Sequence, residues 1–577
     1  MAVMESAHGK AVFVASEEAE THRHDSVKDT IESIVVALIL AFVFRAFIVE
    51  AFVIPTGSMA PTLYGAHGTI VCNDCGWEFA YGLQDPSSPR RSELVTTHLL
   101  VSPTSQAVCP NCNHANSNLS LTDTTRNAEA GDRILVLKWP YDLGTDFLGP
   151  KRWDVAVFKN PSDGEENYIK RLVGLPNEVL MIVDGDVYTV PTAQLSQATL
   201  DELDHLRHEK YLFHTRQKQG RMPTASPAVL DALDRKMTIA RKTPAAQRSL
   251  WFVVYDHDHL PRNLDNDQPR WRAARSTASG WDTSSRVVRF ESREAGADYI
   301  ELDRKPIVAA YAYNLIPSLT SDRQPSPVGD QRVRFVLTPR AAEGALHVRL
   351  VKGGRSFCVT LEMGGRVALA ESADVPPVST ASMAEERLSP FVPDRSVDIR
   401  FENVDYRLAL FVDGREVLAT SDDPNSRAYF GPHLKSLRAA APKTAGPRIY
   451  AEGTKLELSH LAVERDIYYY NTSGPQGWDV FGGWGTTGNP ILLRAGEYFM
   501  LGDNSPASQD SRHWGDISKN RYLTDRGEDY QLGTVPHDQL IGKAFFVYWP
   551  SAYRLKWLPL PKGWGIVPDV GRMRWIR

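Results

Sequence analysis

Ser58 sits in IPTGSMAPTL, residues 54 to 63, framed by Gly57 and by Pro55 and Pro61. Glycine admits backbone angles that a Cβ forbids, and proline fixes φ, so this hydroxyl is held on a rigid loop. A serine becomes a nucleophile only if a base takes its proton. Histidine is the usual base, and any of the 16 histidines could serve, since spacing alone does not select one. The surroundings depart from the nucleophile elbow G-x-S-x-G, because Thr56 and Ala60 stand where it has glycine. Lysine also serves where burial disfavours its ammonium form. Lys170, in NYIKRLVGLP, has Tyr168, Ile169, Leu172 and Val173 to form such an apolar wall. A second constellation is of sulfur: Cys72 with Cys75, and Cys109 with Cys112, make two C-x2-C knuckles. Four thiolates so paired suit tetrahedral structural zinc; the competing reading is disulfides, and we favour zinc. A zinc site with four cysteine ligands is closed, hence not catalytic.

These residues need elements to carry them. Residues 1–29 are polar, with Glu17, Glu18, Glu20, Asp25 and Asp29, and read as a tail. TIESIVVALILAFVFRAFIV, residues 30–49, is uninterrupted in apolar character only from Ile34 to Phe44, short of the roughly 20 residues that span a bilayer. It spans if Ile31 contributes and Arg45 snorkels, and we read it as a transmembrane anchor rather than a buried amphipathic helix. Lys10, Arg23 and Lys28 give slight support for a cytoplasmic N-terminus. RILVLKW, DVAVFKN and EVLMIVDGDVYTV read as strands between turns. LDELDHLRHEK and ALDRKMTIARKTPAAQ read as helical, and residues 250–465 are again strand-rich, with DG and GG turns that suggest an antiparallel sandwich.

IPTGSMAPTL, GDRILVLKW (131–139), RWDVAVFKNP (152–161), YIKRLVGLPNE (168–178) and GDNSPASQDSRHWG (502–515) resemble, in order, the boxes of bacterial type I signal peptidases. RAFIVEAFVIP resembles that family's passage from anchor to catalytic domain. The resemblance implies a membrane-bound serine endopeptidase that cuts signal peptides from exported preproteins after small residues. It makes Ser58 the nucleophile and Lys170 the general base. The Ser58 N–H and the Thr56 hydroxyl would form the oxyanion hole, Ser508 would orient the lysine amine, and Asp510 with Arg512 would support that loop. Ile54 and Ile169 would line the substrate pockets. The family's Arg-Asp-Asn after GDN is here Ser505-Pro506-Ala507.

The fold expected is mainly β: an antiparallel signal-peptidase-like catalytic domain with one N-terminal transmembrane helix, a four-cysteine zinc-ribbon-like insertion and a large jelly-roll-like β-sandwich insertion. The divisions expected are a cytoplasmic tail 1–29, an anchor 30–49, a first catalytic segment 50–190 with the four cysteines at about 71–115, an insertion 191–487, and a second catalytic segment 488–577. FENVDYRLALFVDGREVL (401–418) resembles a concanavalin-like hairpin, and Cys358 reads as a small buried hydrophobe. With Lys+Arg 65 against Asp+Glu 70, net charge −5, nothing points to a nucleic-acid partner. Expected partners are exported preproteins and membrane lipid, with the insertion's partner open; no cofactor is expected for catalysis, and zinc only as a structural ion. The expected location is the cytoplasmic membrane, single-pass, with the catalytic domain on the extracytoplasmic side. Trp549, Trp557 and Trp564 would meet the bilayer or fill core. The rival reading is an inactive membrane-tethered protein whose sandwich binds glycan or protein. A self-cleaving Ser/Lys repressor-type protease fits less well, since it would lack the anchor.

Overall fold

A computed structural model describes residues 18–82, 105–119, 129, 131–143, 148–215, 223–262, 270–274, 279–293, 296–302, 307–314, 326–372, 382–421, 434–435, 445–470, 483–553 and 567–576. The chain is mainly β. Its first helix, Glu18–Val43, passes into a π-helical turn, Phe44–Ile48, and then directly into the strand Val49–Val53. The helix thus begins inside the stretch expected to be tail. Lys28–Ile48 has a mean hydropathy of 2.4 and none of it is buried, so the segment is long and apolar enough to cross a membrane. Its aliphatic side chains, among them Ile34, Leu38 and Phe42, are exposed.

The strand leaving this helix is the edge of an antiparallel sheet. The order runs Val49–Val53, Arg133–Leu137, Leu540–Trp549, Val155–Lys159, Asn167–Gly174, Glu497–Leu501 and Val535–Pro536. RILVL forms a strand because its burial alternates, with Ile134 and Val136 inward. DVAVFK is apolar almost throughout because its strand lies at the centre of the sheet, between Leu540–Trp549 and Asn167–Gly174. Arg133 lies over the ring of Trp549, 5.7 Å from its centroid. Trp557 and Trp564 lie outside the described residues.

A four-stranded sheet, Thr238–Ile239, Asp186–Pro191, Glu178–Val183 and Ile491–Leu493, joins this first sheet to the rest. The chain departs through Asp186–Pro191 and returns through Ile491–Leu493, both beside Glu178–Val183. Residues between them begin with helices Gln197–Thr215 and Pro227–Asp234, the latter capped by the Ser226 hydroxyl accepting from Val229 N. The helix expected over ALDRKMTIARKTPAAQ stops at Asp234: Thr238 and Ile239, both β-branched, pair with Tyr188 and Thr189 instead. Only a short helix, Pro244–Gln247, follows.

Two large antiparallel sheets then face each other as a sandwich. One centres on Lys455–Arg465, Gln331–Pro339 and Val397–Val404, the other on Ala445–Glu452, Ala345–Lys352 and Arg355–Glu362. Gln331–Pro339 buries every second residue, so Val333, Phe335 and Leu337 meet Leu346, Val348 and Leu350 in a single core. Asp405–Tyr406 and Asp413–Gly414, all at positive φ, make the tight turns of FENVDYRLALFVDGREVL. Cys358 lies fully buried in Arg355–Glu362, its thiol pushed up to about 12 by burial.

Lys352 and Lys242 bind the sandwich to the sheet that leads to it. Lys352 Nζ bridges Asp186, at 2.8 Å, and Asp330, at 2.6 Å, while Lys242 Nζ bridges Asp405, at 2.5 Å, and Asp466, at 2.7 Å. All six groups are buried.

Candidate active site

Residues Gly57–Met59 form a single 3-10 turn at the end of the strand that leaves the apolar helix. Met59 and Ile54 are buried in the sheet's core, which fixes the turn and leaves Ser58 at its edge, 8% exposed. Lys170 reaches this edge from Asn167–Gly174, where it is 5% exposed. Its Nζ donates to Ser58 Oγ at 2.7 Å and to the Ile169 carbonyl at 3.0 Å, and lies 5.3 Å from the centroid of the Tyr168 ring. A burial-shielded amine in direct hydrogen-bond contact with a hydroxyl is the geometry that proton transfer between them requires.

Thr56 Oγ1 is 3.5 Å from Ser58 Oγ, on the same side of the loop. Ile169 packs against the cluster holding Ile54, so the two residues expected to shape pockets share one apolar wall beside Ser58. Asp510 and Arg512 form a fully buried bidentate pair, Nε to Oδ1 at 2.9 Å and Nη2 to Oδ2 at 2.7 Å. Burial would raise the Asp510 pKa, but Arg512 outweighs it and holds the carboxyl below its usual range. Asp510 Oδ2 also accepts from Gly502 N at 3.0 Å, and Arg512 donates to Ser505 Oγ and the Ser505 carbonyl, both at 2.9 Å. This pair therefore sets the course of 502–512 by bonding its backbone.

Ser508 departs from expectation. Its Oγ is buried without a hydrogen-bond partner among the described residues, facing Gly502: a Cβ there would come within 2.1 Å of that oxygen and 2.6 Å of the Ser58 carbonyl. The lysine amine bonds Ser58 and Ile169, while the Ser508 hydroxyl fills the space that Gly502 leaves. Pro506 turns the loop here into a 3-10 segment, Ser505–Ala507, which aims the following serine at Gly502.

Four residues at the site have no role assigned from the sequence. Arg171, next to the lysine, and Asp503, in GDN, form a fully buried bidentate pair at 2.8 and 2.7 Å that ties the lysine strand to the last box. Asn504 donates from its backbone to the Ser58 carbonyl and from its side chain to the Gly57 carbonyl, each at 3.0 Å. The signal for these was present, since KR and GDN lie inside boxes already singled out. Asp132, which opens the box GDRILVLKW, accepts from Tyr64 N at 2.9 Å and anchors the loop after Ser58.

The four knuckle cysteines converge. Their sulfurs all lie within 4.8 Å of one another, with Cys72 to Cys112 and Cys75 to Cys109 at 3.6 Å. Tetrahedral zinc with bonds of about 2.3 Å sets sulfurs about 3.8 Å apart, so the donor set fits that ion. Hydrogen bonds from Cys109 and then Cys112 depress the Cys75 thiol, and Asn116 donates to Cys72 Sγ at 3.8 Å.

A family model described as signal peptidase, peptidase S26, matches residues 27–105, 114–231 and 443–549, just over half of the chain. The signal peptidase I of Buchnera aphidicola subsp. Baizongia pistaciae is 26% identical over 157 residues, 27% of this chain and 32% of that protein. That of Pseudomonas fluorescens is 27% identical over 185 residues, 29% of this chain and 45% of that protein. The chain thus spans less than half the length of these relatives. Among solved structures, the carbohydrate binding module CBM66 from Bacillus subtilis aligns over 34% of this chain and 94% of that one, at 11% identity and a TM-score of 0.22. The family match takes in the apolar helix, both segments that meet at Ser58 and Lys170, and the loop of Asp510, and on that extent the chain belongs to the signal peptidase, peptidase S26, family.

Proposed function

We propose that this chain is a membrane-anchored serine endopeptidase that removes signal peptides from exported preproteins. The carrying observation is the 2.7 Å contact between Lys170 Nζ and Ser58 Oγ. Neutral Lys170 takes the Ser58 proton as Oγ adds to the scissile carbonyl carbon. The carbonyl oxygen gains the negative charge, to be met by the Ser58 N–H and the Thr56 hydroxyl. Collapse breaks the C–N bond, and the Lys170 ammonium returns the proton to the leaving amine. Water then attacks the acyl-serine ester, with Lys170 again as base, and restores Ser58. Nucleophile and base both come from the chain, so the reaction as drawn needs no cofactor.

The shared apolar wall of Ile54 and Ile169 supports selection of small side chains at the first and third positions before the cut, a steric filter. Lys28–Ile48 would cross the cytoplasmic membrane and deliver Ser58 to its outer face, where signal peptides are still held by their own apolar segments. Four thiolates, Cys72, Cys75, Cys109 and Cys112, would hold a structural zinc ion.

The experiment is cleavage of a preprotein by the purified chain in detergent beside Ser58→Ala and Lys170→Ala. Each variant is expected to lose at least about a thousandfold in rate, as for removal of any member of a catalytic set. Full activity in either overturns the dyad.

A further inference from the structure

The inserted region reaches into the site through Tyr313 and Asn314. Both fall between the matched family segments 114–231 and 443–549, so they belong to this chain's own addition. Asn314 and Asn504 exchange side-chain amide bonds: Asn314 Nδ2 donates to Asn504 Oδ1, and Asn504 Nδ2 donates to Asn314 Oδ1, each at 2.8 Å. The second hydrogen of Asn504 Nδ2 goes to the Gly57 carbonyl at 3.0 Å, and Asn504 itself is 1% exposed. Tyr313 closes the loop from another side, since a Cβ on Gly57 would fall 2.1 Å from Tyr313 Cε1. The Tyr313 carbonyl accepts from Gly82 N at 2.7 Å, and its ring stacks on Tyr64 at 5.6 Å, so this segment is fixed to the cysteine-bearing hairpin and to the chain after Ser58.

What these contacts hold is a peptide plane. The Gly57 C=O and the Ser58 N–H are the two ends of one trans peptide unit and point in opposite directions. A donor that fixes the carbonyl oxygen therefore also aims the N–H. Asn504 is that donor, and its amide faces the right way only because Asn314 fills both its remaining positions. Turned over, the Asn504 amide would set its oxygen against the Gly57 carbonyl oxygen, which neither group can relieve by donating.

We propose that Asn314, on the inserted region, is a positioning residue for the oxyanion hole, acting through Asn504 on the peptide that carries the Ser58 N–H. The insertion is thereby a working component of the peptidase site, and Tyr313 is the wedge that keeps it seated. This rests on Ser58 being the nucleophile.

The test compares the full-length chain with Asn314→Ala and Asn314→Leu on a fluorogenic signal-peptide substrate, with Lys455→Ala, on the sandwich surface, as control. Expected are a fall in kcat of about 10- to 100-fold, KM within about twofold of the parent, and a matching loss of affinity for a peptide boronate, whose tetrahedral adduct presents the oxygen that the hole binds. Unchanged kcat, with Ser58→Ala inactive, overturns this proposal and leaves the Ser58 reading standing. A rise in KM alone overturns it in favour of a substrate contact. A fall in kcat that tracks a reduced fraction of sites titrated by the boronate, with boronate affinity intact, overturns it in favour of a folding role. Activity retained in Ser58→Ala overturns both readings.

Discussion

At the scale of single residues, the site turns on which atoms are close enough to share a proton or a charge. Ser58 and Lys170 meet at 2.7 Å, and Thr56 Oγ1 lies 3.5 Å from the same oxygen. If the Thr56 hydroxyl donates to the oxyanion, Thr56→Val removes a donor at no cost in volume and should lower kcat by about 10²- to 10³-fold, while Thr56→Ser retains activity. Steady-state kinetics on a signal-peptide substrate check this; equal kcat in Thr56→Val would assign the hydroxyl to the loop alone. Ser508, expected to orient the lysine amine, has a buried hydroxyl without a hydrogen-bond partner among the described residues. Its hydroxyl occupies the space beside Gly502, which a side chain there would fill. Sequence supplies the serine, whereas the path of Ser505–Ala507 directs it.

At the scale of elements, buried charge ties the pieces of the site together. Arg171 to Asp503 and Arg512 to Asp510 hold the lysine strand and the loop after Glu497–Leu501 in one arrangement, and breaking such a pair strands a charge in the interior. The cysteine knuckles are a second tie. Asn111, between Cys109 and Cys112, donates to the His259 carbonyl at 2.8 Å and accepts from Asp256 N at 2.6 Å, and Asp74 accepts from Arg262 N at 3.0 Å. The knuckles thus grip the start of the sandwich while their hairpin, through Gly82, holds Tyr313. Metal analysis of the reduced protein should give one zinc per chain, and chelation should lower the melting temperature together with kcat, because the ion would hold both contacts. Absence of stoichiometric metal together with two disulfides by mass would replace zinc with disulfides. The helix expected over ALDRKMTIARKTPAAQ fails for a reason at this scale: Thr238 and Ile239 find a strand partner in Tyr188 and Thr189 that no local pattern contains.

At the scale of the whole molecule, the sandwich and the four-stranded sheet that leads to it meet across a buried acidic cluster. Lys352 and Lys242 face Asp186, Asp330, Asp405 and Asp466, a surplus of carboxylates over ammonium groups. Burial, with Asp186 beside it, pushes the Asp330 carboxyl up to about 8, and burial pushes Asp466 up to about 6. Burial alone would drive Lys352 down, but Asp186 and Asp330 hold its ammonium well above the usual value. A carboxyl raised in the fold from about 3.9 unfolded binds more protons folded than unfolded across that interval. Its stabilising contribution is therefore complete below about pH 4 and is lost as pH rises through about 8. The melting temperature should fall between pH 6 and pH 9, and Asp330→Asn, which keeps the acceptor for Lys352, should flatten that fall. A profile in Asp330→Asn as steep as the parent's would place the linkage elsewhere.

The order of residues was enough to single out the groups: a rigid Gly-Ser turn, a lysine among apolar neighbours, the GDN box, two C-x2-C knuckles and an apolar run, each a local pattern whose residue types limit what they can do. It was also enough for the mainly β character, because alternation and tight turns are written within a few residues. Which groups touch was settled by packing. The Asn314 to Asn504 exchange, the Arg171 to Asp503 pair and the Lys352 cluster join positions far apart in the chain, and nothing in residue spacing encodes them. The physical reason is that hydrogen bonds and buried ion pairs depend on distances of about 3 Å in space. Those distances exist only after the strands have packed and the insertion has closed back on the loop that holds Ser58.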